Sequence, residues 1–283
     1  MQEVNHKDII SETQIHEIQE VEYFRSGMYA NLDIPATLDF YYNRYVRQIE
    51  DFKKISKETI IVDIGAGYGW LSIAFALNTY ANVIAIEPNE PRMNAGKKIA
   101  RILGVANKID WRIGMLGNLP LKDLEADISY CIEVLEHVYR NPKALHDLCR
   151  VTNELIVLTT PNLWFPKIAH DTQLPFCHWL PVSMRQKYAK LFNRTDREND
   201  NLFWSPLTLK RNMTGFKRIS HWLHYWSFDN YLNTFPFYLP YGKGKPISRI
   251  GIFKHMYYKL IARFGQKSHI FTPNLAGVYK RLQ

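Results

Sequence analysis

No stretch of the 283-residue sequence approaches the run of about 18 apolar residues that a membrane-spanning helix needs. Cysteine is scarce. Cys131, Cys149 and Cys177 have no paired spacing and form no C-x-x-C motif, which argues against a disulfide framework and a cysteine-rich zinc site. Cys131 and Cys149 lie among apolar residues and read as buried, reduced thiols. The first eight residues, Met1 to Asp8, are polar and lack the apolar core of a secretory signal. Neither a repeat nor a low-complexity tract is visible. The expected compartment is the cytoplasm, extending to the inner face of a membrane.

Acidic residues are scarce in one part of the chain only. Residues 162–283 carry 19 Lys or Arg against 5 Asp or Glu, a net charge of +14, whereas residues 1–161 carry a net −5. The same C-terminal part holds 24 of the 39 aromatic residues. A basic, aromatic-rich region attached to a mildly acidic one suits an anionic partner: a phosphorylated metabolite, a nucleic acid or a membrane face.

The alternation of short apolar runs with helical patterns begins at Thr59 and signals βαβ units on a parallel sheet. Five strands are expected at 59–64, 82–87, 108–113, 126–132 and 154–159, with helices at 70–77 and 91–103. A helix opening at Ser205-Pro206 has a serine cap and proline in its first turn. A sixth strand at 216–220 and a seventh at 273–280 complete the set. The expected fold is α/β: a Rossmann-like, seven-stranded, mostly parallel sheet with helices on both faces. Residues 1–57 read as a polar-amphipathic helical segment, including a helix at 41–49. Residues 58–160 form the core, completed by 205–223 and 271–283. Residues 161–204 and 224–270 are insertions after strands five and six, read as a cap over the C-terminal edge of the sheet, where such folds bind ligands.

Val62-Asp63-Ile64-Gly65-Ala66-Gly67-Tyr68-Gly69 joins the first strand to a helix. Its glycines allow close backbone approach to a ligand at a helix N-terminus. Dinucleotide sites typically space these glycines as G-x-G-x-x-G; here the spacing is G-x-G-x-G after an aspartate, with Glu87 ending the second strand. The combination resembles class I S-adenosylmethionine-dependent methyltransferases. By that resemblance Asp63 faces the cationic methionine moiety of the cofactor and Glu87 accepts from both ribose hydroxyls. Gly65, Ala66, Gly67, Tyr68, Gly69 and Pro88 complete the cradle. Gly114-Met115-Leu116-Gly117-Asn118-Leu119-Pro120 stands where relatives have an adenine-holding G-D-A-x-x-L-P segment. Met115 replaces the aspartate, so it would pack on the adenine with Leu116 offering a backbone amide. Ile132 and Glu133, ending the fourth strand, close the cofactor set.

The run 126–138 resembles the fourth-strand motif of ubiquinone-biosynthesis-type O-methyltransferases and contains Glu133, Glu136 and His137 as E-x-x-E-H. Metal-dependent relatives use this pattern with a distant histidine to hold a divalent ion; His170 or His178 could supply it, for Mg²⁺, Mn²⁺ or Zn²⁺. Other relatives carry L-E-H without metal, and there the histidine is a general base or a wall of the pocket. The catalytic candidates are therefore His137, Glu133 and His170, and the metal candidates Glu133, Glu136, His137 and His170.

Residues 182–192 form an amphipathic helix with Met184, Tyr188, Leu191 and Phe192 on one face and basic residues on the other; residues 254–264 repeat that character. Such helices either dock on the sheet domain or lie on a membrane surface. Trp179, Trp204, Trp222 and Trp226 either fill the core or stack on sugar rings. The leading functional expectation is O-methylation of a small or lipid-linked anionic acceptor, such as a glycan sugar or a quinol precursor. A metal-dependent RNA ribose methyltransferase and a non-catalytic binding protein of the same fold are the alternatives.

Overall fold

A computed structural model describes residues 6, 9–24, 32–138, 141–167, 172–194, 203–238 and 246–282. In chain order the helices are α1 (Glu12–Gln19), α2 (Ile34–Tyr41), α3 (Trp70–Asn78), α4 (Glu90–Ile102), α5 (Pro142–Val151), α6 (Val182–Leu191), α7 (Pro206–Asn212), α8 (Phe228–Leu232) and α9 (Ile252–Ala262). The strands are β1 (Ile60–Ile64), β2 (Asn82–Glu87), β3 (Ile109–Ile113), β4 (Ala126–Ile132), β5 (Thr152–Pro161), β6 (Phe216–Arg218), β7 (Phe237–Tyr238), β8 (Pro246–Ile247) and β9 (Asn274–Arg281).

Seven strands form one sheet in the order β3-β2-β1-β4-β5-β9-β6. The first five run parallel, and β9 lies antiparallel to both β5 and β6. β7 and β8 make a separate antiparallel pair. Successive side chains on a strand point to opposite faces, so the β-branched runs feed two cores. Ile61, Val83, Ile128, Leu155 and Val157 share one core with α3, α4 and the N-terminal layer. Val62, Ile84, Ile86, Ile156 and Leu158 face α5 and α7. Helices thus cover both faces, as the sequence implies.

The N-terminal segment departs from expectation. α3 is buried from Trp70 to Ala76, so its far side also needs an apolar cover. α2 supplies it with Ile34, Pro35, Ala36, Thr37 and Leu38 buried, followed by a π-helical turn, Tyr42–Val46, and a 3-10 turn, Gln48–Asp51. A polar-amphipathic helix at 41–49 is therefore corrected to a largely apolar covering layer with a wide turn. α5 answers to no element expected from the sequence. Asn141 caps it through a bond from the Lys143 N–H (3.0 Å), with Pro142 in its first turn. Its Asp147 accepts from the Gly117 and Leu119 N–H groups at 3.1 and 2.8 Å, holding the turn that carries Met115.

The first insertion contains α6; the second contains α8, the β7–β8 pair and α9. Asn162 ties them together, its Nδ2 donating to the Ile270 and Thr272 carbonyls, both at 2.9 Å. On α6 the buried residues are Arg185 and Ala189, whereas Met184, Leu191 and Phe192 are exposed. Arg185 turns inward because its guanidinium donates to the Leu180 and His178 carbonyls, both at 3.0 Å. The basic face read from the sequence is thus partly the packed one. Of the four tryptophans, Trp222 is fully buried while Trp179 and Trp226 are about half exposed.

Candidate functional site

At the end of β1 the chain must reverse into α3 within a few residues. Gly65 has φ +71°, and a Cβ there would sit 2.5 Å from Val134 Cγ2. Gly67 has φ +58°, and a Cβ there would meet nothing within 4 Å, leaving open space beside the main chain. Asp63 on β1 is 5% exposed and accepts from Ser72 Oγ of α3 at 2.7 Å. Burial raises its titration to about 6; the Ser72 bonds oppose that rise and Glu87 adds to it. Glu87, ending the neighbouring β2, is buried too. Its Oε2 accepts from the Gly67 N–H at 2.8 Å and its Oε1 from the Asn89 N–H at 3.0 Å.

The other expected cofactor residues surround this turn. Gly65 and Ala66 donate N–H to the Ile86 carbonyl at 2.8 and 3.0 Å. Tyr68 is buried, Gly69 packs against Trp111, and Pro88 is exposed at the mouth of β2. Met115 is 54% exposed on the turn after β3. Leu116 is sunk in the second core, so only its main chain is left to face a ligand. Ile132 ends β4 and Glu133 follows it. A small ligand with several hydroxyls suits the cradle: each Glu87 oxygen has acceptor capacity beyond its one bond, and the space beside Gly67 is free of side chains.

The E-x-x-E-H turn divides its side chains. Glu133 has φ +54°, a left-handed conformation that a glutamate adopts at a cost of about 1–3 kcal/mol. Its N–H donates to the Thr159 carbonyl at 2.8 Å, and Asn274 Nδ2 donates to its Oε1 at 3.4 Å. Glu136 is fully buried and accepts from Thr160 Oγ1 at 3.0 Å. Burial first, then the neighbouring Glu133, raises its titration well above the ordinary carboxylate value. His137 is exposed, and its N–H donates to the Val134 carbonyl at 3.0 Å. His178 is buried in the first insertion, its Nε2 3.3 Å from the Leu163 carbonyl. His170 lies outside the described residues. Among the described residues no three His, Cys, Asp or Glu side chains gather as a metal site. The expectation of a metal held by Glu133, Glu136, His137 and a distant histidine is not met there: one turn sends Glu136 inward and His137 outward.

A second group on the same sheet edge was not read from the sequence. The π-helical turn presents Arg44 and Tyr45. The Arg44 guanidinium lies over the Phe40 and Tyr45 rings at 5.3 and 5.8 Å, and its Nε is sealed from solvent with no hydrogen-bond partner. Burial opposes its charge, but the tyrosine oxygens around it and Glu133 outweigh that and raise its titration. Among these partners Glu133 is the carboxylate. His224, from the second insertion, stacks on Tyr45 at 4.8 Å and is buried. Burial, then Arg44, lowers its titration far below the usual histidine range, so it is neutral. Arg44 is one of two arginines in the covering layer, with Arg47 three residues on, and nothing local singles it out or announces His224 or Asn274.

Residues 62–154 match the model of a methyltransferase domain family. Norajmaline N-methyltransferase from Rauvolfia serpentina is 28% identical over 108 residues, 38% of this chain and 36% of that protein; the likeness thus spans about a third of the relative's length. Among solved structures, a Galdieria sulphuraria protein described as a sarcosine dimethylglycine methyltransferase superposes with TM-score 0.55 at 12% identity, covering 92% of this chain and 97% of its own. Geranyl diphosphate C-methyltransferase from Streptomyces coelicolor A3(2), in complex with Mg²⁺, geranyl diphosphate and S-adenosyl-L-homocysteine, superposes with TM-score 0.50 at 15% identity, covering 83% and 76%. At these identities the two superpositions speak to the fold.

Proposed function

We propose that this chain, whose residues 62–154 match a methyltransferase domain family, is a class I S-adenosylmethionine-dependent methyltransferase and methylates a hydroxyl oxygen of a small or lipid-linked anionic acceptor. The observation that carries the reading is the glycine turn after β1, bonded through Gly67 to Glu87 at the end of the adjacent strand. Asp63, Gly65, Ala66, Gly67, Tyr68, Gly69, Glu87, Pro88, Met115, Leu116 and Ile132 would hold the cofactor. When bound, S-adenosylmethionine supplies an electrophilic methyl group on a sulfonium. Little more is required of the protein than alignment and removal of the acceptor proton.

That proton is assigned to Glu133. Its carboxylate lies beside Glu136, whose titration burial and Glu133 itself push up, and in the field of Arg44, a setting that favours one ionised carboxylate. His137, exposed on the same turn, is the other candidate. Arg44 and the basic C-terminal region favour an acceptor bearing phosphate or carboxylate. No step is routed through a metal, because the described residues do not assemble a donor set for one.

The test is release of S-adenosylhomocysteine on mixing with phosphorylated sugars, lipid-linked glycans and quinols. Glu133→Gln is expected to lower kcat by about a hundredfold or more with little change in cofactor affinity, and His137→Ala by less. The reverse order moves the proton to His137. A product methylated on carbon or nitrogen would overturn the oxygen assignment.

A further inference from the structure

Helix α9 has two apolar faces. The inner one, Tyr258 and Ile261, packs with Trp222 and Tyr225 in a small core. Among the described residues the outer one is largely uncovered: Ile252, Phe253, Met256 and Leu260 are 71%, 85%, 63% and 56% exposed, and Phe264, just beyond the helix and against Phe271, is 55% exposed. These positions recur at helical spacing along one side. Lys259, Arg263 and Lys267 are exposed beside them. The charge carried by α9 and by the residues that follow it has one sign only. Asp229 is the last acidic residue of the chain, and the 54 residues after it carry nine Lys or Arg and no Asp or Glu.

We infer that α9 is an interfacial helix that seats the protein on an anionic phospholipid surface. A large apolar face whose own helix carries only cations beside it is what such a surface accepts: the apolar side chains enter the acyl boundary and the ammonium and guanidinium groups meet lipid phosphates. The helix lies on the bilayer rather than crossing it, since no described helix is long and apolar enough to span. Pairing of two copies through this face would set Lys259, Arg263 and Lys267 against their own duplicates. Binding of nucleic acid would use the cations but leave the aliphatic residues without a role. The inference stands on the fold and does not need the methyl-transfer reading.

The test is co-sedimentation of the full chain with phosphatidylcholine vesicles, with and without phosphatidylglycerol. The wild type is expected to bind only the anionic vesicles, and less at high salt. Phe253→Glu with Leu260→Glu, both at exposed positions, should weaken binding at least tenfold. Lys259→Glu with Arg263→Glu should do likewise, at about fivefold or more per charge lost. Circular dichroism and S-adenosylhomocysteine binding on each variant show that the fold is kept. Vesicle binding without S-adenosylhomocysteine binding would remove the function proposed above and leave this inference standing. Absence of vesicle binding, equal binding to neutral vesicles, or a wild-type dimer that the Phe253 and Leu260 changes turn into monomers would overturn it. So would RNA affinity that falls with the charge changes while the Phe253 and Leu260 changes leave vesicle binding intact.

Discussion

Asp63→Asn is expected to make the cofactor-free protein more stable at neutral and alkaline pH while weakening its cofactor binding. Asp63 is almost wholly buried and has one side-chain partner, Ser72 Oγ, at 2.7 Å. Its titration is raised from 3.8 to about 6, chiefly by burial. The sign follows from proton counts. Between about pH 4 and pH 6 the unfolded chain has lost this proton while the folded chain keeps it, so stability falls as pH rises through that window. Above about pH 6 both states are ionised and the penalty is complete, at ~3 kcal/mol. Asparagine keeps an oxygen for Ser72 and removes the charge, but its amide donor lacks an evident partner, which returns ~1 kcal/mol. The net expectation is a gain of ~2 kcal/mol at pH 8, or several degrees in Tm, falling to zero between about pH 4 and 5 and turning into a loss of up to ~1 kcal/mol below that. Denaturant unfolding of the two proteins at pH 4 and pH 8 measures it, with S-adenosylhomocysteine titration as the second readout. An Asp63→Asn protein less stable than wild type at pH 8, or an equal gap at both pH values, would refute the reasoning.

Other expectations follow from single contacts. Gly67→Ala places a methyl in open space at φ +58°, so it should cost ~1–2 kcal/mol of backbone strain yet cut cofactor affinity at least tenfold, as thermal melts and calorimetry would separate. Arg218 donates to the Leu223 and Ala276 carbonyls at 2.9 and 3.2 Å and also to that of Gln266; Arg218→Leu strands these acceptors and should destabilise by ~2–4 kcal/mol in denaturant unfolding. Exhaustive chelation should leave turnover with any identified acceptor within about twofold; a loss restored by Mg²⁺, Mn²⁺ or Zn²⁺ would return the metal reading.

Continuous β-branched runs are legible because a strand buried on both faces has few other ways to be satisfied. Thus 126–132 was read to the residue, and β1, β2 and β3 within one. The expected sixth strand ran two residues too far: Ser220 Oγ turns to the Leu223 carbonyl at 2.6 Å and accepts from the Val278 N–H at 3.0 Å, ending the ladder. α5 was missed although Asn141-Pro142 is a readable start signal followed by Ala144, Leu145 and Leu148 at helical spacing. The glycine turn after β1 was legible because its glycines answer to local backbone demands. The E-x-x-E-H segment was legible as a motif but not as an arrangement: closeness in sequence on a tight turn put Glu136 and His137 in opposite environments. Arg44, His224 and Asn274 meet Glu133 and Tyr45 only through tertiary packing of the N-terminal layer, the second insertion and β9. No local pattern encodes that meeting.

The most direct test of the central claim is calorimetric titration of S-adenosylhomocysteine into the wild type and Glu87→Ala side by side. Binding at about micromolar Kd in the wild type, weakened at least about a hundredfold in Glu87→Ala, is the expected result. No heat from a folded wild type, or undiminished binding by Glu87→Ala, would contradict the assignment of the cofactor to this turn.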